Sequence, residues 1–150
     1  MARYNTTIHT PWSPDRAFEY MSDLRHFADW DPGVTRAVQI LGQSPGLGST
    51  YDVTVASPGR DLTLRYETVA FDAPRRIKVR AQSRTLVSVD VITVAPVAPD
   101  GPGGAAVTYT AELSLRGLLG IASPLLGLAF NRIGDRAARG LRHALEATAQ

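Results

Sequence analysis

The chain predicts an α+β fold: a seven-stranded antiparallel sheet curled around one long C-terminal helix, with two short helices after the first strand. Three observations carry this. Ser123 to Ala149 holds apolar residues three and four apart, at Leu126, Phe130, Ile133, Ala137, Leu141, Ala144 and Ala147, which is one stripe of an amphipathic helix. From Val34 to Leu115 the period switches to two, so one face of each strand is dry and the other wet. Between the first strand and Val34 lie two short helical segments, an order that fits neither a simple barrel nor a sandwich. A helix of that length needs an apolar surface to lie on, and the strands upstream are the candidate.

Taken in order, Tyr4–Thr10 is a strand of β-branched and aromatic residues stopped by Pro11. Ser13 and Pro14 are an N-cap and a first helical position, and Ala17, Phe18 and Met21 share a face of the helix that runs to Met21. Leu24–Trp30 reads as a second helix, closed by the turn Asp31-Pro32-Gly33. Strands follow at Val34–Leu41, Thr50–Ala56 and Asp61–Phe71, the last alternating Leu62, Leu64, Tyr66, Thr68 and Ala70 against Asp61, Thr63, Arg65 and Glu67. After Asp72-Ala73-Pro74, Ile77, Val79 and Ala81 alternate with charged and polar neighbours. A tight turn at Ser83-Arg84 leads into Thr85–Val94; Pro96–Gly104 is a loop, and Ala106–Leu115 is the last strand. Ser123 and Pro124 start the long helix. Gly127, Gly134 and Gly140 each cost it roughly 1 kcal/mol against Ala. Two readings of Gly134 and Gly140 stay open: close backbone approach, or room left for something that is not protein.

Composition excludes several function classes. The chain of 150 residues is one domain's worth. It has no cysteine, hence no disulfide framework, thiolate nucleophile or zinc ribbon. The net charge is +2 and the arginines are dispersed, so no nucleic-acid partner is expected. His9, His26 and His143 have no metal-ligand spacing. Gly42–Gly48 joins two strands and opens no helix, which argues against a phosphate loop. No cofactor is expected. The N-terminal residues have no signal-peptide character, and a cytoplasmic protein is the expectation.

The chain resembles the START-like or Bet v 1-like (SRPBCC) superfamily, and more narrowly its bacterial polyketide cyclase/dehydrase-type members. The resemblance is carried by Pro14-Asp15-Arg16-Ala17-Phe18, by Ser22-Asp23 leading to Trp30-Asp31-Pro32, by Phe71-Asp72-Ala73-Pro74-Arg75-Arg76-Ile77, and by Val107-Thr108-Tyr109 ahead of the long helix. It covers essentially the whole chain. It implies a helix-grip fold with a deep apolar cavity between the sheet and the C-terminal helix, and it implies no particular reaction. On that reading Trp30 lines one end of the cavity, and the partner is a hydrophobic small molecule, lipid or polyketide-like.

The residues themselves add detail. Leu126, Phe130 and Ile133 are expected to face the sheet and line the cavity. Tyr66 and Tyr109 sit on apolar strand faces, and a buried tyrosine hydroxyl requires a partner. Asp90 is the most informative carboxylate. Both alternating sets around it are apolar, so only register orients it. With a two-residue Ser83-Arg84 turn it pairs with Ile77 and points inward; a change of one residue sends it to solvent. Glu112 alternates opposite Tyr109 and should face solvent. Two functions follow: a carrier or sensor for an apolar molecule, or a cyclase/dehydratase using Asp90, the tyrosines and His26, which lies near the expected cavity entrance, as acid–base groups. Membrane contact through Gly117–Phe130 is a third, less favoured than burial of that segment on the sheet.

Overall fold

A computed structural model describes residues 2–42, 45–56, 59–97, 104–116 and 123–147, with the backbone alone described for 123–130 and 147. Strand β1 (Ala2–Thr10) is followed by helix α1 (Pro14–Ser22), a 3-10 turn (Leu24–His26) and helix α2 (Phe27–Trp30). Strands β2 (Val34–Leu41), β3 (Thr50–Val55), β4 (Leu62–Asp72), β5 (Arg76–Gln82), β6 (Leu86–Pro96) and β7 (Ala105–Leu115) precede helix α3 (Ser123–Ala147). The strands form one seven-stranded sheet in the order β1-β7-β6-β5-β4-β3-β2, antiparallel at every pairing. This is the helix-grip arrangement expected from the sequence.

The short elements form for local reasons. Ser13 Oγ accepts from the Arg16 N–H at 3.2 Å, and Pro14 occupies the first turn of α1, where it lacks only an orphan donor. Asp23 repeats the device for the 3-10 turn, accepting from the Arg25 N–H at 3.1 Å. The segment expected as a single helix over Leu24–Trp30 is therefore split into that tight turn and the short α2.

The β5–β6 hairpin departs from the expected turn. The Ser83 N–H donates to the Leu86 carbonyl at 2.8 Å, and Ser83 Oγ accepts from the N–H groups of Thr85 and Leu86 at 3.2 Å each. The serine hydroxyl thus organises a turn with Arg84 and Thr85 at its tip. Val79, not Ile77, then pairs with Asp90, and Ile77 pairs with Ile92. The register slides by two residues, and an even slide keeps every side chain on its face. Asp90 points inward.

Helix α3 buries Ala137, Leu141 and Leu145, a row at successive spacings of four. The expected stripe ran through Ala144, which is only half-buried. Thr10 Oγ1 donates to the Leu145 carbonyl at 3.0 Å, tying the end of β1 to the helix. The two inner glycines are contact points. A Cβ on Gly140 would lie 1.8 Å from the Trp30 carbonyl oxygen, and one on Gly134 would lie 2.4 Å from the Tyr4 ring. Close approach is the correct reading, to α2 in one case and to β1 in the other. Gly134 takes the contact with the sheet, and Ile133, expected against the sheet, is 54% exposed. Leu126, Phe130, the Ser123 cap and the Gly117–Phe130 segment fall outside the residues whose side chains are described.

Candidate functional site: a hollow floored by a hydroxyl–carboxylate chain

The concave face of the sheet is divided in two. At one end α1 and α2 close it. Ile8, Phe18, Met21, Leu24, Ile77, Ile92, Val94 and Val107 pack there and are all buried. Phe18 meets Phe71 with ring centroids 5.5 Å apart. At the other end, between the sheet, the Asp31-Pro32-Gly33 turn and α3, lies a cavity of about 330 Å³. That is the small end of the range of about 300–1,000 Å³ usual for ligand pockets. An aromatic trio forms the partition. Trp30 packs edge-on against Phe27 at 4.9 Å and against Tyr109 at 5.7 Å. Trp30 is buried and lines the cavity, so one side chain belongs to the core and to the wall of the hollow.

The cavity walls are mainly aliphatic: Val55, Leu62, Leu64, Leu86, Ala111, Leu113, Ala137 and Leu141. Ile133 and Leu62, both exposed by more than a third, stand at its rim. The floor is polar. The Tyr109 hydroxyl donates to Asp90 Oδ2 at 2.5 Å. Ser88 Oγ donates to Asp90 Oδ1 over a long 3.5 Å, and the Tyr66 hydroxyl lies 2.8 Å from Ser88 Oγ. Tyr66 is on β4, Ser88 and Asp90 on β6, and Tyr109 on β7. Between Tyr66 and Ser88 the ladder places Ala81 of β5, which pairs with both. Its single methyl group leaves Tyr66 clearance to reach across that strand.

Burial dominates the electrostatics. It pushes the Asp90 carboxyl up to about 6, against the opposing pull of the hydrogen bonds from Tyr109 and Ser88. Burial raises Tyr66 and Tyr109 as well, and the Asp90 charge adds to both. A second carboxylate, Asp31, lines the same cavity. Its carboxyl is raised by burial, while the Gly33 N–H bonded to it at 2.8 Å and the charge of Arg136 pull the other way.

Of the residues expected at the site, Trp30, Tyr66, Asp90, Tyr109 and Ile133 border one cavity. His26 does not. It stacks on Tyr20 at 4.3 Å, its Nδ1 lies 2.8 Å from the Tyr20 carbonyl oxygen, and it borders a separate groove with Trp12. Glu112 lies on the outer face and pairs with Arg3 at 3.7 Å. Sequence reasoning passed over Ser88 and Asp31. Ser88 shares a face with Asp90 by simple alternation, so fixing one fixes the other. Asp31 carries only turn chemistry in sequence, and its position on the cavity depends on where α3 crosses. Among the described residues no group of three His, Cys, Asp or Glu side chains could hold a metal ion, and no helix is long and apolar enough to cross a membrane.

An antiparallel sheet gripping a C-terminal helix over an internal hollow defines the START-like class. Residues 1–146 match the family model described as polyketide cyclase / dehydrase and lipid transport, and the chain belongs to that family, within the SRPBCC superfamily. Solved structures agree in fold at low identity. TTHA0849 from Thermus thermophilus is similar with a TM-score of 0.76 at 14% identity, covering 99% of each chain. A START superfamily protein from Mycobacterium smegmatis gives 0.77 at 12% identity, covering 97% of each. The Zhui aromatase/cyclase from Streptomyces sp. R1128 gives 0.70 at 14%, covering 98% of this chain and 92% of that one. No curated protein matches in sequence. Family and fold fit binding of a hydrophobic ligand or cyclase chemistry on a polyketide, without distinguishing them.

Proposed function

We propose that the protein binds an apolar small molecule, lipid or polyketide-like, in the hollow under α3, as a carrier or sensor. The observation that carries this reading is the contrast of walls and floor: aliphatic side chains around about 330 Å³, with one hydrogen-bonding cluster at the bottom. Apolar walls supply affinity and a few placed polar groups supply orientation. Micromolar binding corresponds to about −8 kcal/mol, within reach of roughly 300 Å² of buried ligand surface at ~25 cal/mol per Å² before entropic costs. Native mass spectrometry of the purified protein tests it directly. An apolar molecule should co-purify, or a polycyclic aromatic probe should bind. Ala111→Phe, which fills the hollow beside Asp90, should abolish binding while circular dichroism stays unchanged. Undiminished binding by that folded variant would place the ligand elsewhere.

One observation favours the second reading, an acid–base enzyme of the cyclase/dehydratase type. The Asp90 carboxyl sits near neutrality and is hydrogen-bonded to Tyr109, a combination suited to proton transfer. On that reading Asp90→Asn keeps ligand binding and removes turnover of a poly-β-ketone substrate. On the carrier reading no turnover exists to remove.

A further inference from the structure

The direction of the hydrogen bonds on the floor specifies what the hollow can accept. Tyr109 gives its one hydroxyl proton to Asp90 Oδ2, and Ser88 gives its one proton to Oδ1. Ser88 then has none left for Tyr66, so in their 2.8 Å contact Tyr66 is the donor. All three hydroxyl protons therefore run inward toward one carboxylate. What the cluster has left to offer is lone pairs. An ionised carboxylate has about four acceptor positions, and the protein fills two of those on Asp90. The charge lining points the same way: among the described residues Asp90 and Asp31 are the acids, and the one basic residue on the cavity, Arg136, is exposed. Donors border the hollow as well: the buried Trp30 Nε1–H has no hydrogen-bond partner among the described residues, and Thr6 and Arg136 also line the cavity.

We infer that the hollow selects a neutral apolar molecule bearing a hydroxyl group that donates to Asp90, and rejects anionic ligands such as fatty acids. This rests on the ligand-binding reading above. A phenol or alcohol both donates to the carboxylate and accepts from an N–H donor such as Trp30. An ether or ester can only accept, and so leaves Asp90 unmatched once water is expelled. A carboxylate would bring a third negative charge against Asp90 and Asp31 in a poorly solvated space.

Isothermal titration of the full chain near neutral pH with 2-naphthol, 2-methoxynaphthalene and 2-naphthoate tests this, because the three share one ring system. The naphthol should bind about tenfold to a hundredfold tighter than the methyl ether, the range expected for one hydrogen bond to a charged group, and the naphthoate weakest of all. Asp90→Asn should strengthen naphthoate binding by about tenfold or more, since the repelling charge is gone. Tyr109→Phe keeps Asp90 and should preserve the naphthol preference. Equal binding of all three probes would overturn the inference and leave the ligand-binding reading standing. Tight naphthoate binding, or loss of the naphthol preference in Tyr109→Phe, would also overturn it, the latter making the tyrosine the donor to ligand. Binding of none of the three would overturn both readings.

Discussion

Strand β6 passes through both halves of the concave face, and its inward residues differ sharply between them. Under α1 and α2 they are Ile92 and Val94; under α3 the apolar Leu86 is followed by Ser88 and Asp90. All five are buried. The same backbone ladder therefore supports two kinds of interior. Where helices seal the sheet, aliphatic side chains fill the space. Where α3 leaves a hollow, polar groups are tolerated because they satisfy one another through Tyr66 and Tyr109. Burial alone does not distinguish core from site; whether the facing helix fills the space beneath it does.

The contrast can be broken at several points. The largest effect belongs to the sealed half. Ile92→Ala should cost about 2–5 kcal/mol in urea denaturation, because it opens a void among packed neighbours. Leu113→Ala, bordering a space that already exists, should cost under about 2 kcal/mol. Equal losses would mean that the two halves are packed alike.

Asp90→Asn comes next. The folded state raises this carboxyl from 3.8 to about 6, so it holds the proton more tightly than the unfolded chain does. Its favourable contribution is full below the unfolded value and is lost as pH rises through about 6. Ionisation in the hollow therefore costs on the order of 3 kcal/mol at neutral and higher pH, at about 1.36 kcal/mol per unit. The Asn variant should be more stable than the parent by up to that amount at about pH 8, with the gap closing toward about pH 4. A constant difference across this range would contradict the burial of the charge.

Gly140→Ala should cost about 1–3 kcal/mol or more, because the added methyl meets the Trp30 backbone at the crossing of α2 and α3. Arg139→Ala, next to it on the exposed side, should stay within about 0.5 kcal/mol. The smallest effect lies on the convex face. Removing Arg65, which pairs with Asp52 at 2.9 Å in solvent, should leave the urea midpoint almost unchanged, and what difference remains should vanish as salt is added.

The fold was legible because each of its signals is local. Alternation along Leu62–Ala70, the Ser13-Pro14 cap and the turn at Asp31-Pro32-Gly33 need no knowledge of distant residues. The site was legible in part. Tyr66 and Tyr109 follow from alternation, and Asp90 from register. The register was offset because a serine hydroxyl built a different turn, and the inward face survived only because the slide was even. Ile133 borders the cavity but stands at its rim and not against the sheet, because a stripe on a helical wheel does not say which member touches the sheet; the Gly134–Tyr4 contact decides that. Asp31 is joined to the site only by tertiary packing, which no periodicity reports.

Ala81 makes no hydrogen bond through its side chain, yet the hydroxyl chain runs over it. It therefore acts as a tuning position for descendants of this sequence. A leucine there would hold Tyr66 away from Ser88, leaving the tyrosine proton free to meet a ligand carbonyl. The hollow would then offer a proton beside the open acceptor positions of Asp90, with every one of its polar residues retained. Chains of this family could thus diverge in ligand chemistry through aliphatic substitutions alone, and a comparison restricted to their polar residues would miss the change.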